Sequence, residues 1–298
     1  MRLVTYDVEG IWHAGIVIEN KVVDATSAAR AADFNDGADV SNISNRVILQ
    51  ANPDKQSRLE KAAYELASSS TDEVLLLERL HLGPPIPNPD KIICVGFNYK
   101  SHAEEADFEP PKIPILFAKF RNALIGPTDS IILTELSEEI DFEGELAVVI
   151  GKQCKHVSVE DALDYVSGYM LLNDVSARDL QFRTGQYMSG KALDTFAPCG
   201  PALVIGEINN PQNLDITTRV NGLVMQQSNT GNMIFSVADL ISYTSQLMTL
   251  EPGDIISTGT PEGTGFKRTP PVFLRHGDMV EVKVEKIGMI KNPVVSPV

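Results

Sequence analysis

The sequence predicts a mostly β chain with some helix, an α+β class, and three observations carry that reading. Short apolar runs rich in β-branched residues recur between turn residues, as in Ile92-Ile93-Cys94-Val95, Leu146-Ala147-Val148-Val149-Ile150 and Ile255-Ile256-Ser257. Asn221-Gly222 stands between two alternating runs, Ile216 to Val220 and Leu223 to Met225, which is the pattern of a type I′ hairpin. Helical patterns are few and each has a recognisable start.

Taken in order, residues 1 to about 25 alternate apolar and polar residues with turns between them, a small antiparallel meander. His13 beside Trp12 belongs to that meander and reads as a packed or surface histidine. Asn52-Pro53 is a cap followed by a first-turn proline, opening a helix over 52–68 through Leu59, Ala62 and Leu66 that ends at Ser68-Ser69-Ser70-Thr71. After the apolar run Val74-Leu77, the segment Gly83-Pro84-Pro85-Ile86-Pro87-Asn88-Pro89 cannot form regular structure and reads as a stiff linker. The chain thus divides into a small N-terminal β/α domain with linker, residues 1–85, and a larger domain, residues 86–298.

In the larger part, Lys91 to Gly96 is a buried strand, with Gly96 allowing a sharp turn, and Phe97 to Ala106 a short helix. Ile113 to Phe120 is another strand. Ser158-Val159-Glu160-Asp161 is a capping box starting a helix through Ala162, Leu163 and Val166, and Tyr169 to Asn173 is a strand. Ser236 with Asp239 is a second capping box, opening a helix through Leu240, Ile241 and Leu247. Met279 to Val284 alternates as a final strand. There are no repeats, heptads or low-complexity tracts.

The 298 residues suit one large domain or a large domain with a small partner. A net charge of −15 argues against nucleic acid or an anionic membrane as partner, though not against a small anion, because a bound cation reverses the local field. No apolar run reaches the roughly 18 residues of a membrane span. Cys94, Cys154 and Cys199 are sparse and odd in number, which fits reduced thiols in a cytoplasmic protein. Cys199, with no histidine nearby in sequence, reads as a small buried residue.

Chemistry concentrates in a few places. Within Ile140 to Ile150, Glu143 and Glu145 are two apart; on one strand their carboxylates point to the same face, repel, and would be relieved by a cation. The alternative is a solvated strand end with two surface glutamates. His102 and Glu105 are neighbours on one helical face, an arrangement suited to a general base or simply to a solvent-facing helix. Asp174 comes directly after an apolar strand and opens the charged run Asp174 to Asp179. Lys191 lies between Gly190 and apolar residues, where a lysine needs an anion or loses its proton. Thr258 to Gly265 is a loop of glycine and hydroxyl residues able to offer donors to an anion, without the Walker lysine pattern.

These segments together resemble the fumarylacetoacetate hydrolase (FAH) family over roughly residues 90 to 290. The resemblance is nearest to its short domain-containing members and the 2-hydroxyhepta-2,4-diene-1,7-dioate isomerases. Val95 to Tyr99 with His102, Glu143-Gly144-Glu145, Asp174 to Asp179, Gly190-Lys191 and Thr258-Gly259-Thr260-Pro261 carry it in order. The resemblance implies a mixed β-sandwich roll, a homodimer, and Glu143, Glu145 and Asp174 as ligands of Mg²⁺, with Mn²⁺ or Ca²⁺ as other occupants. It implies His102 and Glu105 as a base pair on a lid helix that orders with substrate, and Lys191 as the lysine contacting substrate oxygens. Arg178, Gln181 and Thr260 match substrate-binding or site-supporting positions. Phe97-Asn98-Tyr99 departs from the larger fumarylacetoacetases, which have a further carboxylate ligand there. The activity implied is metal-dependent hydrolysis of a C–C bond in a small 2-oxo acid of acylpyruvate type through a metal-stabilised enolate. Oxaloacetate decarboxylation, keto–enol tautomerisation or dienoate isomerisation are the alternatives on the same parts, and a catalytically silent metabolite-binding protein is the alternative of another class.

Overall fold

The strand Gly144–Ile150 shows why two layers form on either side of one sheet. All seven residues are buried, and period-two alternation divides them between two cores. Leu146, Val148 and Ile150 pack with Ile216, Val282 and Ile290, whereas Ala147 and Val149 pack with Leu3, Leu59 and Ile86. A strand buried on both faces reads as a continuous apolar run, which is the run visible in the sequence.

The computed structural model describes residues 1–37, 40–69, 74–105 and 109–297. Ser70, Thr71 and Ala106, expected from the sequence at two helix ends, lie outside the described residues. The main path of the larger sheet runs Val74–Leu76, Lys21–Asp24, Ile11–Ile18, Arg2–Val8, Ala197–Val204, Val166–Asn173, Gly144–Ile150, Ile255–Ser257, Ile92–Gly96 and Ile115–Lys119. The smaller sheet runs Leu223–Asn229, Asp215–Val220, Met279–Val284, Gly288–Val295 and Ile131–Ile132. This mixed, strand-rich sandwich is the α+β architecture expected from the sequence.

Local sequence signals translate directly into several elements. Asn52 caps the helix Pro53–Ala67 by accepting from Lys55 N at 2.9 Å. Ser236 and Asp239 form both halves of a capping box on the helix Val237–Leu247. Asn221 and Gly222 take φ of 52° and 80°, as a type I′ turn requires, with Val220 opposite Leu223.

Four expectations are corrected. Ser158 and Asp161 do hydrogen-bond each other, but they open only a 3₁₀ turn, Ala162–Tyr165, and Val166 already begins the strand Val166–Asn173. That strand takes a central place in the larger sheet, and the ladder overrides the local helix start. The chain does not finish at Val284: Gly288–Val295 adds a strand paired with Met279–Val284. The sharp turn after Ile92–Gly96 falls at Phe97, with φ 52°, not at Gly96. The proline-rich stiff linker, read as having no regular structure, enters the sheet at its first residue and packs against the fold. Gly83 pairs with Thr5, Ile86 is 1% exposed, and Pro85 O accepts from Thr5 Oγ1 at 3.2 Å and Asn45 Nδ2 at 2.9 Å. Strand pairing also crosses the boundary near residue 85, with Leu3 opposite Leu203.

Gly144 explains the Glu-Gly-Glu pattern. A Cβ there would lie 2.2 Å from Thr218 Oγ1 and 2.9 Å from Val282 Cγ1, both on the smaller sheet. The glycine lets the sheets close together while its neighbours face the other way. Gly144→Ala is expected to lower stability by about 1–3 kcal/mol through overpacking, read as a fall in the urea midpoint.

Candidate metal centre and active site

Glu143, immediately before the strand Gly144–Ile150, and Glu145 point to one face, and Asp174 stands just past the neighbouring antiparallel strand, with Asp174 N donating to Glu143 O at 2.8 Å. One carboxylate oxygen from each lies within 4.8 Å of the others, and all three residues are buried. The surface-glutamate alternative for Glu143 and Glu145 is thereby overturned.

Charge is nearly balanced around this triad. Glu143 Oε1 meets Arg178 Nη2 at 2.6 Å and its Oε2 meets Lys191 Nζ at 2.6 Å. Lys191 Nζ also reaches Asp174 Oδ2 at 2.9 Å, and Lys119 Nζ lies 2.8 Å from Asp174 Oδ1. Arg178 is held from behind by Asp141 Oδ2, 2.8 Å from Nη2. Among the described residues, four buried carboxylates therefore face three buried cations.

Glu145 is the member without such a cation; it takes neutral donors, Ser257 Oγ at 2.5 Å and Gly259 N at 2.9 Å. Burial, then the charges of Asp174 and Glu143, push its carboxyl well above the ordinary range. Burial would raise Glu143 as well, but Arg178 and Lys191 overcome it and hold that carboxyl below the ordinary range. Lys191 is fully buried, which opposes its charge, yet Asp174 and Glu143 keep its ammonium more basic than usual.

The residues fit a hard divalent cation. The oxygens span a distance that one ion with ligands at about 2.0–2.6 Å bridges, the donor set is all carboxylate, and with Glu145 ionised the local charge is one negative in excess. Binding there requires Glu145 ionised, so cation binding displaces its proton. Mg²⁺ affinity is accordingly expected to fall as pH is lowered from above the ordinary carboxylate range into it, with proton release visible as a buffer-dependent heat in calorimetry. A pH-independent affinity would refute Glu145 as a ligand.

His102 is 4% exposed, so the solvent-facing alternative for this helix does not hold. Its ring stacks on Phe97 at 5.3 Å, and the left-handed backbone of Phe97, rare for a bulky residue, delivers that ring. Nδ1 has no hydrogen-bond partner among the described residues; Glu105 Oε2 lies 3.6 Å away, an ion-pair distance, while Glu105 accepts from Gly263 N at 3.1 Å. The helix Lys100–Glu105 is thus tied to the glycine-rich loop, with Ser101 also bonded to Glu262.

The remaining sequence-predicted residues converge. Arg178 Nη1 donates to Gln181 Oε1 at 2.9 Å, and the Phe266 ring lies 4.1 Å from the Arg178 guanidinium. Thr260 is 3% exposed, and its hydroxyl hydrogen goes to Gly144 O at 2.9 Å while Gln226 Nε2 donates to the same hydroxyl oxygen at 2.8 Å. Gly190 lets the short helix Met188–Lys191 press against Gln181, since a Cβ would lie 2.6 Å from Gln181 N. A cavity of about 20 Å³ opens among His102, Glu143, Glu145, Arg178, Lys191 and Thr260.

Three residues escaped the sequence analysis. Asp141 accepts from Arg178 Nε at 2.9 Å and from Gly265 N at 2.7 Å, fastening the arginine to the loop. It is two residues before Glu143, so the alternation argument already pointed to it. Lys119 ends an apolar strand, a signal akin to the one that singled out Lys191. Gln226, 1% exposed, carried no local signal. Asn98, in the Phe97-Asn98-Tyr99 segment that offers no carboxylate, is a staple, with Nδ2 donating to Phe235 O at 3.0 Å and Thr258 O at 2.7 Å.

A family profile described as fumarylacetoacetate (FAA) hydrolase C-terminal matches residues 91–295. The chain is 52% identical over 213 residues to the oxaloacetate tautomerase Fahd2a, mitochondrial, of Rattus norvegicus, covering 71% of this chain and 68% of that one. Among solved structures it is similar to 2-hydroxyhepta-2,4-diene-1,7-dioate isomerase from Mycobacterium marinum, at TM-score 0.74 and 32% identity over 99% and 98% of the two chains. It is also similar to maleylpyruvate hydrolase from Sphingobium sp. SYK-6 in complex with manganese(II) ion and pyruvate, at TM-score 0.78 and 32% identity over the whole of both chains. The cytoplasmic expectation is corrected by the relatives: the rat protein and others from Xenopus laevis, Bos taurus and Homo sapiens, 47–52% identical, are all named mitochondrial. Three buried free thiols fit a reducing environment and do not distinguish one such compartment from another. Among the described residues no helix is long and apolar enough to cross a membrane.

Proposed function

The chain belongs to the fumarylacetoacetate hydrolase family and is an enzyme of that family; from this premise we propose that it interconverts the keto and enol forms of a small 2-oxo diacid, oxaloacetate being the leading candidate. The similarity to the rat oxaloacetate tautomerase supports this reading over the C–C hydrolysis expected from the sequence. The observation that carries it in the structure is the geometry around Lys191 and His102. Cations converge on one side of the cavity, and a buried imidazole whose Nδ1 lacks a hydrogen-bond partner among the described residues stands in its lining.

Glu143, Glu145 and Asp174 would hold a divalent cation, Mg²⁺ or Mn²⁺, whose Lewis acidity favours an enolate-like charge on a 2-oxo acid. His102 removes a proton from the carbon next to the keto group. That C–H bond breaks, a C=C bond forms, and the electron pair of the keto group moves to its oxygen. Lys191 and Arg178 oppose the charge that develops there, and return of the proton held by His102 to that oxygen completes the enol and restores the neutral imidazole. Arg178 and Gln181, held together by their hydrogen bond, orient the acid; Phe97 over His102 limits water around the base. Hydrolysis would need one more participant, a water aligned on the distal carbonyl. Glu105 accepts from Gly263 N while standing 3.6 Å from the imidazole Nδ1, so it can orient the base for either reaction.

The test is to follow enol absorbance of oxaloacetate and cleavage of acetylpyruvate with the purified protein, with Mg²⁺ and with chelator. Accelerated keto–enol exchange that needs the cation, with slower cleavage, is expected. Faster acetylpyruvate cleavage would return the reading to a hydrolase, and no turnover of either would favour a silent binding protein.

A further inference from the structure

Lys119 ends the strand Ile115–Lys119 with 1% of its surface exposed, and balancing the charge of Asp174 accounts for only one of its contacts. Its ammonium donates to three backbone carbonyls: Val175 O at 2.9 Å, Lys191 O at 2.5 Å and Phe196 O at 2.7 Å. An ammonium has three N–H bonds, so these acceptors use all of them. Asp174 Oδ1, 2.8 Å away, consequently receives the charge of Lys119 without a hydrogen bond, and that oxygen has no other donor among the described residues although it is buried. The other oxygen, Oδ2, is hydrogen-bonded by Lys191.

The three carbonyls come from three separate segments. Val175 lies just past the strand Val166–Asn173 and next to Asp174, Lys191 closes the short helix Met188–Lys191, and Phe196 precedes the strand Ala197–Val204. A surface role is excluded by burial, and a purely structural strut would not need to stand beside a metal ligand. We propose that Lys119 is a positioning residue of the site. It locks the Asp174 and Lys191 segments together as a fixed internal cation and holds the Asp174 carboxylate in place beside Glu143 and Glu145.

Lys119→Met keeps most of the side-chain volume and removes the charge. Two opposite effects are expected. With chelator the variant melts below the wild type, because three carbonyls lose their donor and Asp174 loses a cation. Mg²⁺ then raises its melting temperature by more than it raises the wild type's, and calorimetry shows Mg²⁺ binding roughly 10-fold tighter or more, since a positive charge beside the ligand set is gone. Turnover of oxaloacetate falls nonetheless, because Lys191 is no longer anchored. A merely structural lysine would lower stability equally with and without Mg²⁺ and leave the affinity unchanged; that result, or weaker Mg²⁺ binding, overturns the proposal. Should Lys119→Met not fold, Lys119→Met/Asp174→Asn, which removes the carboxylate that Lys119 faced and that Lys191 alone would then neutralise, is expected to recover folded protein; a double variant that also fails to fold overturns the charge coupling. Only the turnover measurement rests on the proposed activity. Failure of the wild type to bind Mg²⁺ would reject the carboxylate centre itself, a result distinct from either.

Discussion

Glu143→Ala is expected to abolish Mg²⁺ binding and turnover together, and to destabilise the protein by roughly 3 kcal/mol in chelator. Glu143 is joined to two buried cations at once, Arg178 and Lys191, each at 2.6 Å. Removing it takes away one of the three carboxylates of the candidate metal site and leaves both cations short of a counter-charge, although Asp141 and Asp174 retain part of the pairing. Breaking one side of a buried ion pair costs more than the pair contributes, because the remaining charge stays out of water. Calorimetric titration and urea unfolding report the two effects separately. Glu143→Gln, which keeps the shape and loses the charge, checks that the loss is electrostatic. Full activity of either variant would refute the ligand assignment.

His102→Ala is expected to separate binding from chemistry. The imidazole is not a member of the carboxylate triad, so Mg²⁺ binding survives, while kcat falls by about 10²–10⁴, the usual contribution of a positioned general base. His102 is 4% exposed and stacked on Phe97, so the variant also leaves a small void, and a modest fall in melting temperature accompanies the kinetic loss. The informative measurement is the keto–enol exchange rate at saturating Mg²⁺. If that rate is unchanged while acetylpyruvate cleavage disappears, His102 serves water activation, and the tautomerase reading must find another base.

Much of the site was legible because its signals are local. Strand alternation put Glu143 and Glu145 on one face, with surface glutamates as the open alternative, and burial decided between the two. The hairpin at Asn221-Gly222 and the caps at Asn52 and Ser236 are decided by residues within four positions of each other. Where local signals misled, a distant partner had decided. Ser158 and Asp161 begin a helix locally, but the pairing of Val166–Asn173 with strands on both sides takes the chain away from it. The turn expected of Gly96 belongs to Phe97, whose ring stacks over His102.

By itself, then, the chain's order of residues determined the fold class, the helix starts at Asn52 and Ser236 and the family pattern, along with the face on which the first two carboxylates lie. Periodicity, caps and turn conformations depend on neighbours a few bonds away, so they survive in a one-dimensional reading. Only the tertiary structure decided which charges meet. Lys119, Asp141 and Gln226 reach the site from segments separated from it in the chain or from behind Arg178, and their burial turns ordinary side chains into determinants of its electrostatics. Coulomb interactions and desolvation depend on distance in space and on exclusion of water, and neither quantity exists until the sheets have closed around Glu143, Glu145 and Asp174.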